Sequence, residues 1–115
     1  MTKAALATIA LLFASAFADT ARAQGVYVGG EGIVEYGEYL KARRDNNETQ
    51  TYIYATWVRG FVSGHNMATS GKPTPKIPGS DTILAYLDKH CQANPLDLLV
   101  TGAGALVKEL GGTRK

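Results

Sequence analysis

An all-α domain is predicted by three features of this 115-residue sequence. Four segments carry apolar residues at i, i+3, i+4 spacing, no segment sustains a two-residue alternation, and a proline-rich stretch separates the second helical segment from the third. Together they predict a compact bundle of about four helices with one long Pro-rich loop, preceded by a cleaved signal peptide.

The leader comes first. Lys3, an apolar run from Ala4 to about Ala18 and the small-x-small ending Ala21-Arg22-Ala23 form a secretory signal pattern. The run falls short of the roughly 20 apolar residues that a bilayer span needs. Cleavage is expected before Gln24, with Ala16-Phe17-Ala18 as the second-choice site, so that residues 1–23 are the signal peptide. Residues 24–115 then form one small domain, exported to the periplasm of a Gram-negative cell or secreted, with no membrane attachment after cleavage. That domain carries ten basic and nine acidic residues with interspersed signs, which leaves no basic patch for nucleic acid.

Residues 24–32 are rich in glycine and lack a helical period, which predicts a flexible or loosely docked arm. From about Gly32, Ile33, Tyr36, Gly37 and Leu40 fall at helical spacing up to the basic end Lys41-Ala42-Arg43-Arg44, whose charges suit a helix C-terminus. Asn46-Asn47 breaks the chain. A second helix is predicted from Glu48 to about Ala68, with Ile53, Tyr54, Trp57, Gly60, Phe61, Gly64 and Ala68 on its inner face and Thr56, Arg59, Ser63 and Asn66 opposite.

Thr69 to Ser80 contains Pro73, Pro75 and Pro78, which exclude a regular helix and favour an extended loop. Ser80 is the expected N-cap of a third helix with Asp81 in its first turn. Ile83, Leu84, Leu87 and Cys91 make its apolar face, edged by Tyr86 and His90. Asn94 and Pro95 fit the N-cap and first position of a fourth helix. Its stripe is Leu96, Leu99, Val100, Ala103, Leu106, Val107 and Leu110, and Gly111-Gly112 supplies the stop.

No catalytic, metal or cofactor residues are expected. His90 and Cys91 adjoin in sequence, about 100° apart on a helix, so they do not face each other as base and nucleophile. Two His and one Cys fall short of a structural zinc set. Asp81, Asp88 and Asp97 are spread over helix surfaces as caps and solvated charges, and Glu31, Glu35 and Glu38 mark an exposed helical start. As the only cysteine, Cys91 is either a buried core residue or one half of an intermolecular bridge. Gly60 and Gly64 each cost a helix about 1 kcal/mol relative to Ala. That cost predicts a close-packed seam within the domain or across a homodimer. His65 and Asn66, at the end of that segment, are candidate capping or loop-anchoring groups.

Three pieces taken jointly carry a resemblance: Glu38-Tyr39-Leu40-Lys41-Ala42-Arg43, the Trp57 to Asn66 segment, and Asp81 to Leu87 running on to Cys91-Gln92-Ala93-Asn94-Pro95-Leu96. They resemble the Rap/Tai family of exported helical proteins, which includes immunity proteins against type VI secretion amidase effectors and is similar in build to HdeA-type periplasmic acid-stress chaperones. The resemblance covers about residues 36 to 110. It implies a small all-α periplasmic protein that acts by binding another protein, and a disulfide partner for Cys91 on the first helix just before Glu38. Tyr36 and Gly37 stand there instead, so that bridge is missing. Its loss costs a small domain about 2–5 kcal/mol, which aromatic packing by Tyr36 is expected to offset in part.

A protein partner of the amidase type is therefore expected, bound through the loop from Thr69 to Gly79. Its prolines lower the ordering cost of binding. Lys72, Pro73, Pro75 and Lys76 are the contact candidates, while Trp57, Gly60, Phe61, Gly64, Asn66, Cys91, Asn94 and Pro95 are structural. The alternative is an acid-stress chaperone of the HdeA type, switched by titration of Asp and Glu.

Overall fold

Where the sequence places four helical periods, a computed structural model has, among the described residues, four α-helices: α1 (Tyr36–Arg44), α2 (Glu48–Ala68), α3 (Ser80–Ala93) and α4 (Leu99–Glu109). The structure describes residues 25, 27–69 and 76–111, so the signal peptide and the tip of the Pro-rich loop lie outside the described residues. A short 3-10 turn, Gly30–Ile33, precedes α1. Among the described residues there is no β-strand, only an isolated antiparallel bridge between Glu35 and Leu98. No helix of the described residues is long and apolar enough to cross a membrane.

The break between α1 and α2 is local chemistry. Asn46 adopts the left-handed backbone conformation, at φ 52°, which Asn tolerates better than most residues. Asn47 then caps α2, its side-chain oxygen accepting the Gln50 N–H at 3.1 Å. Helix α2 spans the predicted residues, but its buried face differs from the expected one. Thr51, Tyr54, Ala55, Val58 and Val62 are buried, which turns the inner face by roughly 100°, one residue's worth of helix. Tyr54 belongs to both faces.

Helix α3 buries Ile83, Leu84, Leu87 and Cys91 as expected. Gly79, not Ser80, holds its N-cap position, and no side chain caps it. The start of α4 also departs from expectation. Asn94 closes α3 instead of opening α4: its backbone N–H bonds to the carbonyls of His90 and Cys91, and its side-chain nitrogen donates to His90 O at 2.9 Å. Pro95 lies in the turn that follows, and Leu96 is 93% exposed. The helix begins at Leu99 because the chain just before α1 captures the connection. Leu99 N donates to Val34 O at 2.8 Å and Tyr36 N to Asp97 O at 3.0 Å. Leu99, Ala103, Leu106 and Val107 are buried, and Gly111 follows at φ 85° as a left-handed stop.

The core gathers all four helices. Tyr36 and Tyr39 of α1 are fully buried, as are Val58 and Val62 of α2, Ile83, Leu87 and Cys91 of α3, and Leu99 and Ala103 of α4. Tyr36 reaches from α1 to the last turn of α3, where its hydroxyl and His90 Nδ1 are 2.9 Å apart. The position where the family resemblance implies a cysteine is thus a core tyrosine hydrogen-bonded to the neighbour of Cys91.

Three glycines, Gly30, Gly32 and Gly102, meet close packing, and none belongs to the expected seam. At Gly102 on α4 a β-carbon would stand 2.5 Å from the Tyr36 hydroxyl, and at Gly32 one would collide with the Trp57 indole. At Gly60 and Gly64 it would meet nothing within 4 Å. The α2 glycines are therefore not an internal seam, because the rotation of α2 turns them to solvent.

Candidate functional site

The single cysteine of the sequence is shut away. Cys91 is fully buried, and burial, with a smaller contribution from the Asp88 charge, pushes its thiol up to about 12. That favours the unreactive protonated form. His90 is engaged elsewhere: besides the Tyr36 hydroxyl it has the Tyr86 ring stacked at 5.9 Å. Tyr36 itself is held well above the ordinary tyrosine range, chiefly by burial. Among the described residues, no three His, Cys, Asp or Glu side chains are placed to share a metal ion.

Polar side chains converge between α1 and α3. Arg43 Nε and Nη2 each donate to the Asp88 carboxylate at 2.9 Å, a bidentate pair. The Tyr39 hydroxyl donates to the same carboxylate at 2.8 Å and approaches the Leu84 carbonyl at 3.2 Å. Burial would raise the Asp88 carboxyl, but the bonds from Arg43 and Tyr39 outweigh it and hold the group below the usual carboxylate range. Beside this pair is a shallow cleft of about 320 Å³ lined by Leu40, Arg43, Arg44, Asn46, Asp88 and Gln92. Its chemistry is that of a neutralised ion pair locking two helices. Asp88 is thus a structural anchor rather than the solvated charge expected.

The outer face of α2 has a different character. Thr49, Ile53, Thr56, Gly60, Gly64 and Met67 are all exposed. At 100° per residue they occupy about 80° of arc opposite the buried face, in a stripe about 27 Å long. Met67 is 79% exposed at its end, immediately before the Pro-rich loop. Trp57 and Phe61 run along one edge, half-buried, with ring centroids 5.6 Å apart in a stacked pair. At the C-terminal end, the Thr69 hydroxyl donates to the carbonyls of His65 at 2.9 Å and Asn66 at 3.4 Å.

Of the loop contacts expected from the sequence, Lys76 is exposed, and Lys72, Pro73 and Pro75 lie outside the described residues. Of the two states expected for the arm, flexible or loosely docked, its last residues take the docked one. Trp57 Nε1 donates to Gly29 O at 3.2 Å, Gln50 Nε2 to Glu31 at 3.4 Å, and Gly32 is buried under the indole. Residues 29–32 are thus docked. The signal in the sequence was the spacing of Gly29, Gly30 and Gly32, which permits approach to a flat ring. Tyr39 and Arg43, one helical turn apart, were the corresponding sign of the Asp88 anchor.

No family model matches the chain, and comparison with curated proteins and with solved structures finds no match.

Proposed function

We propose that this chain is an exported protein-binding domain of the immunity type, which occludes the cleft of a peptidoglycan amidase with the outer face of α2 and the loop that follows. The observation that carries this is the pair Gly60 and Gly64, in the middle of a 21-residue helix and facing open space. Each lowers helix stability by about 1 kcal/mol, and none of the described residues packs against the bare backbone in return. A partner surface gains from it, because a side chain or a second backbone approaches the helix axis more closely there. Ile53 and Met67 supply apolar contacts at either end, and Lys76 supplies a cation where the loop re-enters the fold. The amidase as partner comes from the family resemblance.

The test is protection in cells that direct an amidase to the periplasm. The native chain should restore growth, and the double substitution Gly60→Arg with Gly64→Arg should abolish protection while keeping the folded thermal transition. Absence of protection by the native chain would defeat the immunity assignment, and full protection by the Arg variant would remove the α2 stripe from it.

A second function, an acid-activated chaperone, is favoured by one observation: a carboxylate, Asp88, joins α1 to α3, so acid acts directly on a helix contact. If a molar excess of the protein leaves the light scattering of an acid-aggregating client unchanged, this function is rejected.

A further inference from the structure

The segment before α1 is held in two different ways. From Val34 onward it is fixed by backbone bonds to the α3–α4 connection, Leu99 N to Val34 O and Tyr36 N to Asp97 O. Residues 29–32 are held in addition by side chains of α2. The Trp57 N–H reaches Gly29 O, Gln50 reaches Glu31, and the indole lies over Gly32. Gly30 sits at φ 64° with the Trp57 Nε1 only 3.2 Å from where its β-carbon would be. This cradle is selective. An occupant needs a left-handed residue at one position and no β-carbon two residues later, and the arm's own Gly-Gly-Glu-Gly run meets both conditions.

The residues flanking the change of anchoring, Ile33 and Val34, are both apolar: Ile33 faces water, while Val34 packs partly buried against the core. Ile33 is 58% exposed, and Leu98, which bridges to Glu35, is 37% exposed. A closed monomer gains nothing from this patch. Two copies that exchange arms cross at this hinge, so the patches of both chains meet there.

We propose that the Trp57 cradle is an arm-exchange site, occupied in the monomer by residues 28–32 of the same chain and, in a dimer, by residues 28–32 of a second copy. Exchange keeps the Trp57 and Gln50 contacts, gives up the Val34 N–H bond to Glu31 O that closes the 3-10 turn, and adds the contacts between the hinges, a low-cost route to a dimer.

Complementation of two full-length variants tests this. The first carries Gly30→Val and Gly32→Val, so that its arm no longer fits while Trp57 remains as an open cradle. The second carries Trp57→Ala, so that its arm is intact and its cradle is gone. Trp57 is the only tryptophan, so the fluorescence reports on the first variant alone. Its emission should lie to the red of the native protein and return toward it on adding the second variant in excess, with a one-to-one heterodimer in native mass spectrometry. Unchanged emission and no heterodimer overturn the proposal. So does a return of emission with a peptide of residues 27–33 but not with the second variant. Should either variant fail to fold, Ile33→Cys in the native chain decides. Rapid covalent dimerisation under mild oxidation, absent in a Lys89→Cys control, is expected, and equal rates overturn the proposal.

Discussion

The Tyr36 hydroxyl lies where Gly102 leaves room for it, 2.5 Å from the position a β-carbon would take. One small residue on α4 thereby lets a phenol from α1 cross the core to His90 on α3. Gly102→Ala should destabilise the domain by about 1–3 kcal/mol through overpacking, despite the better helix propensity of Ala. Urea unfolding checks it. Pairing Gly102→Ala with Tyr36→Phe removes the oxygen from the clash and should give a loss smaller than the sum of the two single substitutions.

The glycines on α2 should behave in the opposite way. Because nothing approaches their β-positions, Gly60→Ala and Gly64→Ala are each expected to raise stability by about 0.5–1 kcal/mol, seen as an increase in Tm. Gly60→Leu, which an internal seam would not tolerate, should also fold with no loss of stability.

Asp88 makes stability fall in acid. Its carboxyl is lowered in the folded state, so its contribution is present above the unfolded value of about 3.9 and is lost as pH falls through the lower folded value. Asp88→Asn should cost about 1–2 kcal/mol at neutral pH, with solvent screening discounted, and should flatten the decline in Tm between neutral pH and strong acid. An unchanged acid profile would assign the decline to other carboxylates.

Alkali should act through the buried thiol and phenols. Cys91, Tyr36 and Tyr39 are all raised in the folded state, first by burial. Folding favours their protonated forms, so the stability they contribute is complete below the unfolded values, about 8.5 for Cys and 10 for Tyr, and is lost as pH rises past them. Iodoacetamide should label Cys91 slowly in the native protein and rapidly in urea, and a non-reducing gel should show no dimer of the native chain.

Periodicity located the helices and capping chemistry located several of their ends, since both act within a turn or two of chain. Asn46-Asn47 and Gly111 stop or start helices by their own backbone preferences, and the apolar face of α3 is unambiguous because Ile83, Leu84, Leu87 and Cys91 have no apolar rivals across the helix. On α2 the rings of Trp57 and Phe61 outweighed smaller residues, and the fold buries Thr51, Ala55, Val58 and Val62 instead. Which side of such a helix goes inward is decided by its neighbours. Asn94-Pro95 shows the same contest, because the hydrogen bonds of Leu99 N–H to Val34 O and of Tyr36 N–H to Asp97 O override a good local start signal. Of the candidate surface, its residues were legible but their direction was not. For the Asp88 anchor the sequence shows the donors, Tyr39 and Arg43 one turn apart, but not their acceptor, since Arg43 and Asp88 are 45 positions apart.

That separation bears on the order in which the chain acquires its shape. Helix α1 has nine residues, fewer than an isolated helix needs to persist in water. Its partners arrive late: His90 for Tyr36 is 54 positions on, and Asp88 for Tyr39 is 49. Closing such loops costs entropy before any contact repays it. The long-range anchors of α1 therefore close only once α3 is in place, whereas Tyr39 meets the ring of Tyr54 on the next helix, 5.7 Å away, much earlier in the chain.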